Sequence, residues 1–143
     1  MRQHQAGDSA DAKITAEQAR STLEPICKRQ PDNDFAGICL SRAYAVLGNK
    51  NSALNEAERA IALKPRTKDA ASGPGLEENL ALIQMTFGEN SRAISTLARL
   101  MEVPYSSMLY GTPVTPALLS LDPTWDSLRA DPAFRKLYEE KRR

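Results

Sequence analysis

Histidine and cysteine are the residues of this sequence best suited to nucleophilic or metal chemistry, and both are scarce. The single histidine, His4, lies in a polar N-terminal stretch, so a Ser-His-Asp triad, a Cys-His pair or a zinc site has no suitable histidine in the folded part. Two cysteines cannot build a four-ligand site or a disulfide framework. Cys27 and Cys39 both fall at apolar helical positions. We therefore expect buried or half-buried free thiols, with a disulfide between packed helices as the alternative.

Paired carboxylates are the other candidates for acid–base chemistry. They occur as Glu77-Glu78, as Asp122 with Asp126, and as Glu139-Glu140. Adjacent residues on a helix do not face each other, and Asp122 is explained as a helix cap. Ser72-Gly73-Pro74-Gly75 lacks the lysine and the spacing of a phosphate loop. The sequence therefore predicts a protein that is not an enzyme and that uses no metal and no cofactor.

The amino-acid composition limits which fold classes and which kinds of partner are expected. The 143 residues include 20 Ala and 16 Leu but only 6 Ile and 3 Val, a balance that favours helices over strands. The 19 basic and 18 acidic residues are spread evenly, so nucleic acid is not an expected partner. No apolar run approaches the ~20 residues that cross a membrane. Residues 1–10 lack the apolar segment of a signal peptide, so we expect a cytoplasmic protein.

The elements that position these residues are five predicted helices. Residues 1–13 are polar and are expected to form a flexible tail. Thr15 to Gln18 fit a capping box that begins the first helix, which ends before Pro31. The second helix is expected from just after Asp34 to about Leu47, and the third from Asn51 to just before Pro65. The fourth is expected from Leu76 to Phe87, and the fifth from Asn90 or Ser91 to about Met101. A loop over Arg66–Gly75 closes with the breaker Ser-Gly-Pro-Gly.

The two middle helix pairs repeat each other at an offset of 40 residues. Gly48 and Ala53 of the first pair correspond to Gly88 and Ala93 of the second. Glycine permits a tight turn between antiparallel helices, and a small alanine lets the second helix approach the first closely. This pattern predicts more than ~60% helix, well above the ordinary share of about one third.

Asp34–Thr67 resembles a tetratricopeptide repeat (TPR). The signature positions are occupied by Leu40, Tyr44, Gly48, Ala53, Ala60 and Pro65, while Gly37 and Ala57 depart from it. Gly75–Met101 resembles a second repeat through Ala81, Gly88 and Ala93, with Gln84 where Tyr is commoner. Thr15–Pro31 resembles only the second helix of an earlier repeat. The resemblance implies that residues 14–105 form stacked helical hairpins, a short right-handed α-solenoid.

Residues 106–143 are expected to form a C-terminal capping segment. Asp122-Pro123 precedes Trp125 and Leu128, and Asp131-Pro132 precedes Phe134 and Leu137, so one helix-start pattern is used twice. The aromatic residues either form a partner patch or cover the last repeat, and a terminal repeat needs such a cover. The segment is similar to the ends of repeat regions in bacterial multidomain regulators, where the repeats follow a kinase, winged-helix or cyclase-like domain.

The TPR resemblance implies a function in protein–protein interaction. The concave face of such repeats binds a peptide or protein segment, and the positions expected to contribute in this chain are Ile38, Arg42, Asn79, Leu82 and Met85. The alternative is a structural self-association domain without a peptide ligand. The apolar face of the first helix, from Ala19 to Cys27, is only partly covered by the second. Weak homodimerisation through this helix is therefore expected, unless an upstream domain or the N-terminal tail covers the face.

Overall fold

The structure is all-helical, as the composition predicts. A computed structural model describes residues 2–63, 73–102 and 115–139, and the side chains of these ranges from residue 9 onward. Of the described residues 85% are helical and none is in a strand. The chain divides into two compact units, Met1–Leu63 and Lys64–Arg143. The predicted loop over residues 66–72 and the predicted boundary between residues 105 and 106 lie outside the described residues.

The first unit consists of three consecutive helices. They are α1 (Arg2–Arg29), α2 (Asp34–Val46) and α3 (Lys50–Leu63), and α2 packs against both others. The side-chain oxygen of Asn33 caps α2 by accepting the backbone N–H of Ala36 at 3.0 Å. Alanines at 53, 57 and 60 are no more than 1% exposed, which lets α3 lie close to its neighbour.

Helix α1 is longer than the sequence predicts. It begins at Arg2, so residues 2–13 continue the helix, and the start predicted at Thr15 is wrong. Side chains 9–15 are all exposed, and a helical stretch without a buried face has no apolar periodicity to reveal it. A helix that has already formed is extended at little cost per residue, so α1 continues through this stretch although it includes Gly7 and Asp8.

The turns after α2 and after the first helix of the second unit have the same geometry. Gly48 and Gly88 have φ of 79° and 78°, the left-handed conformation that favours glycine. The N–H of Asn49 donates to the carbonyl of Tyr44 at 2.9 Å, and that of Glu89 donates to Gln84 at 2.8 Å. Each of these hydrogen bonds closes a turn of six residues and satisfies a carbonyl at the end of its helix. Both glycines are thereby confirmed as helix stops.

The second unit contains four α-helices and one 3₁₀ helix among its described residues. They are α4 (Gly73–Thr86), α5 (Asn90–Leu100), α6 (Pro116–Leu121), the 3₁₀ helix Pro123–Leu128 and α7 (Pro132–Glu139). Helix α4 begins three residues earlier than predicted. Gly73, Pro74 and Gly75 form its first turn, because proline is tolerated where an N–H has no helical partner. Helix α6, which Thr115 caps, was not predicted.

The C-terminal segment covers the last hairpin, as the capping interpretation predicts. Trp125, Leu128 and Phe134 are fully buried in one cluster with Leu97 and Leu100 of α5. The paired Asp-Pro starts have the predicted geometry. The carboxylate of Asp122 accepts the N–H of Thr124, and that of Asp131 accepts the N–H of Ala133, each at 2.9 Å. The aromatic residues therefore serve the core of this unit.

Candidate functional site

One face of α2 carries apolar side chains that the structure leaves exposed. Phe35 is 65% and Val46 is 47% exposed, although both are large hydrophobic residues. Cys39 and Arg42 lie between them on the same face and are half-buried. The spacing of 35, 39, 42 and 46 places the four side chains in one stripe along the helix.

A shallow groove of about 360 Å³ runs beside this stripe, between α1 and α2. Its walls are mostly methyl groups, from Ala12, Ala16 and Ala19 of α1 and Ala43 of α2. Arg42 is the charged residue of the lining. A groove with small apolar walls and one cation suits a segment that carries apolar side chains and a carboxylate or backbone carbonyl.

The predicted partner-binding residues are divided between the two units. Ile38 and Arg42 belong to α2, and of these Ile38 is a core residue with 2% exposure while Arg42 reaches the groove. Asn79, Leu82 and Met85 belong to α4. Asn79 is 1% exposed, and Leu82 and Met85 are half-buried against the aromatic cluster of the second unit.

The first unit also contains a polar cleft that no pattern in the sequence predicts. It has a volume of about 440 Å³ and is bounded by all three helices and the turn at Pro31. Its lining combines two carboxylates, two cations, a thiol and a phenol: Glu24, Glu56, Lys28, Arg59, Cys27 and Tyr44. These residues come from three separate parts of the sequence, so no local motif indicates the cleft.

Tyr44 links α2 to α1 across this cleft. Its hydroxyl donates a hydrogen bond to Glu24 Oε1 at 2.6 Å, and Arg20 Nη1 lies 3.5 Å from the same oxygen. Burial, followed by the neighbouring Glu24 carboxylate, raises the pKa of Tyr44 to about 12. The hydrogen bond from Tyr44 lowers the pKa of Glu24. The neutral phenol and the charged carboxylate are therefore the forms that the structure stabilises.

Arg59 of α3 closes the other side of the cleft. Its Nη2 lies 2.8 Å from Glu56 Oε2, and its Nη1 donates to the carbonyl of Pro31. Gly37 makes room for this ion pair, because a Cβ there would lie 3.2 Å from Arg59 Nη2. Gly37 occupies the position at which the resemblance expects Trp. The departure from the TPR pattern thus has a local structural reason.

The second unit has a corresponding cleft at the repeat offset. It has a volume of about 510 Å³ and includes Gln84, Thr96 and Arg99. These residues lie 40 positions after Tyr44, Glu56 and Arg59 of the first cleft. The offset first seen at Gly48 and Gly88 therefore extends to the side chains between the helices. In the second cleft Thr96 Oγ1 donates to Gln84 Oε1 at 3.3 Å.

The chemistry available in the described residues is modest. Cys27 and Cys39 are both free and half-buried, as expected. Burial raises the pKa of the Cys27 thiol, with a further contribution from the charge of Glu56, so the thiol rather than the nucleophilic thiolate is favoured. Within the described ranges no three Cys, Asp, Glu or His side chains are grouped to hold a metal ion.

Comparisons with protein-family models, curated proteins and solved structures gave no match to this chain. Among the helices that the structure describes, none combines the length and the apolar character needed to cross a bilayer.

Proposed function

We propose that this chain is a non-catalytic protein–protein interaction module of TPR-like helical hairpins. The observation that carries the proposal is the repetition of one hairpin, α2–α3 and α4–α5, with matched glycine turns and matched clefts 40 residues apart. Repeated hairpins of this kind stack into solenoids whose extended surfaces bind other chains. In the proposed arrangement the two hairpins stack as a short right-handed α-solenoid inside a cytoplasmic bacterial regulator.

The partner in this proposal is a peptide or protein segment that lies along α2. Exposed apolar residues at a surface are most useful where a partner covers them, and Phe35 and Val46 meet that description. Arg42 lies between them, where its guanidinium can take a carboxylate or a carbonyl from the partner.

Peptide selection tests this proposal directly. A displayed library of random peptides is selected against the chain, and enriched peptides are measured by calorimetry with the native protein and with Arg42→Ala. Loss of a charge-assisted hydrogen bond at a buried contact weakens binding by about 1–3 kcal/mol. The melting curve of the variant is recorded separately, because Arg42 is half-buried and its truncation also removes packing within the groove.

Arg92→Ala is the matched control for this measurement. Arg92 is an arginine of the second unit whose side chain is 71% exposed, and it lies 3.6 Å from Glu89. Its removal leaves the peptide affinity unchanged. A library that yields no enriched peptide, or peptides that bind Arg42→Ala and the native chain equally well, contradicts the proposed site.

A further inference from the structure

We infer that the polar cleft of the second unit binds the phosphate group of a small phosphate monoester. This second cleft is lined by residues of α4 and α5, and its volume of about 510 Å³ lies within the usual range of about 300–1,000 Å³ for small-molecule sites. Its described lining offers two guanidiniums, three hydroxyls and one carboxamide: Arg92, Arg99, Ser91, Ser95, Thr96 and Gln84. The inference is independent of the peptide site proposed on α2, because that site belongs to the first unit.

The charge of the second cleft distinguishes it from its counterpart in the first unit. In the first cleft Glu56 pairs with Arg59 of the same helix at 2.8 Å, and Glu24 adds a second carboxylate. At the repeat offset Thr96 replaces Glu56, whereas Arg59 is retained as Arg99. Helix α5 contains neither Asp nor Glu, and no carboxylate belongs to the described lining of the second cleft. The second cleft is therefore electropositive, as an anion site requires.

The two arginines of the cleft lie on one face of α5. Arg92 and Arg99 are seven positions apart, about 10 Å along the helix axis, and Ser95 lies between them. Arg92 Nη1 is 3.6 Å from the Glu89 carboxylate, and Arg99 Nη2 is 3.8 Å from that of Glu77. Both distances exceed that of a hydrogen bond, and exposed ion pairs of this kind are weak. Both guanidiniums therefore retain donors for an anion held between them.

The buried part of the cleft holds an amide donor that no described residue uses. Gln84 is 7% exposed, and its Oε1 accepts the hydroxyl of Thr96 at 3.3 Å. Its Nε2 makes no hydrogen bond to any residue in the part of the chain that the structure describes. A buried donor without an acceptor costs free energy. This amide therefore points to a ligand in the cleft that is rich in acceptor oxygens.

A phosphate monoester matches these donors better than a carboxylate does. It carries a charge of about −1.5 to −2 near neutral pH and three strong acceptor oxygens. Two guanidiniums balance this charge, while the hydroxyls of Ser91 and Ser95 and the amide of Gln84 supply neutral donors. A carboxylate has one negative charge and two oxygens, so it would leave one guanidinium without a counter-charge. The volume of the cleft leaves room for the organic part of the monoester.

Titration followed by NMR of the backbone and side-chain amides tests the inference on the native chain. Glycerol phosphate, inorganic phosphate and acetate are added separately at constant ionic strength and about pH 7.5, where the monoester is a dianion. Glycerol phosphate shifts the resonances of residues 91–99 and of the Gln84 side-chain amide to saturation, with a dissociation constant of about 1 mM or lower. Inorganic phosphate binds no more tightly than glycerol phosphate, and acetate does not saturate these resonances.

Substitutions at exposed positions of α5 locate the site. Arg92→Gln and Arg99→Gln each raise the dissociation constant of glycerol phosphate about tenfold, because each removes a charged donor. Ser95→Ala raises it less, since it removes a neutral donor and keeps the charge. All three side chains are exposed, so circular dichroism shows unchanged helix content. Arg135→Gln is the matched control: Arg135 is an exposed arginine of α7 in the same unit, and its loss changes the net charge equally but leaves the dissociation constant unchanged.

Four results overturn the inference. No saturation by about 10 mM glycerol phosphate means that the cleft is not a site, and saturation by acetate at the same concentration means that it is not selective for phosphate. An equal effect of Arg135→Gln means that only the net charge of the chain is sensed. Tighter binding of inorganic phosphate than of glycerol phosphate assigns the free ion instead of a monoester. Selection of unphosphorylated peptides tests the groove of the first unit, so failure here leaves the proposed function separately testable.

Discussion

The Tyr44 hydroxyl of α2 donates a hydrogen bond to the Glu24 carboxylate of α1, 20 residues earlier in the chain, with an O···O distance of 2.6 Å. Charge-assisted O–H···O⁻ bonds are short and are stronger than neutral ones. This contact fixes α2 against α1 at the polar cleft. It therefore helps to hold together the two helices that line the apolar groove.

Tyr44→Phe should destabilise the first unit without changing its fold. The substitution removes the hydroxyl and leaves Glu24 at a half-exposed position where water can replace the bond, so we expect a loss of about 0.5–1.5 kcal/mol in the free energy of unfolding. Urea unfolding followed by circular dichroism measures it. Tyr138→Phe is the control, because Tyr138 contributes a ring contact with Phe134 at 5.7 Å that the change retains. Equal stability losses in the two variants would contradict the role of the Tyr44 hydroxyl.

The same pair predicts how stability depends on pH. The folded pKa of Tyr44 is raised from 10.0 to about 12, so the unfolded chain loses this proton first and stability falls as pH rises through that interval. The folded pKa of Glu24 is lowered, so its contribution is present above the unfolded value and is lost as pH falls through the acid range. Unfolding measured across pH should show both slopes, and Tyr44→Phe should reduce the alkaline one to the part that the raised pKa of Cys27 contributes. An unchanged alkaline slope in the variant would assign it to other groups.

The parts of the fold that sequence predicts are those with a local physical cause. Gly48 and Gly88 end helices because their backbone conformation favours glycine, and this requirement is visible in the residue type. Asp122 and Asp131 are followed by proline, which marks a helix start in the same local way. The burial of Trp125 follows from the need to cover the last hairpin, so its position could also be inferred.

The errors have physical causes as well. Helix α1 extends through residues 2–13, and an exposed helix lacks the apolar pattern that predicts its bounds. Gly73 and Pro74 begin α4, but the same residues are typical of loops. The polar cleft was missed because Glu24, Tyr44 and Arg59 meet only once three helices are packed. Sequence predicted Arg42 as a site residue, but not that Ile38 and Asn79 are buried.

Gly48→Ala should destabilise the first hairpin through its backbone alone. No atom lies within 4 Å of the position of an added Cβ, and φ is +79°, so the cost is that of the left-handed conformation, roughly 1–2 kcal/mol. Gly48→Asn should cost less, because asparagine adopts this conformation more readily. Urea unfolding of the three proteins gives the order. If Gly48→Ala were as stable as the native chain, the turn would have to adopt a different backbone conformation in that variant.

Glu56→Gln should make Cys27 more reactive. The charge of Glu56 raises the pKa of Cys27, whereas Arg59 lowers it, and Glu56 is also the carboxylate that pairs with Arg59 at 2.8 Å. Neutralising Glu56 removes the unfavourable charge and leaves Arg59 to stabilise the thiolate, so the pKa of Cys27 falls. Each pKa unit changes the thiolate fraction by about tenfold below the pKa, and alkylation at mildly alkaline pH in a Cys39→Ser background follows that fraction. Glu58→Gln, at an exposed position of α3, is the matched control and should leave the rate unchanged. A rate that is unaltered in Glu56→Gln would mean that burial alone holds the thiol in its neutral form.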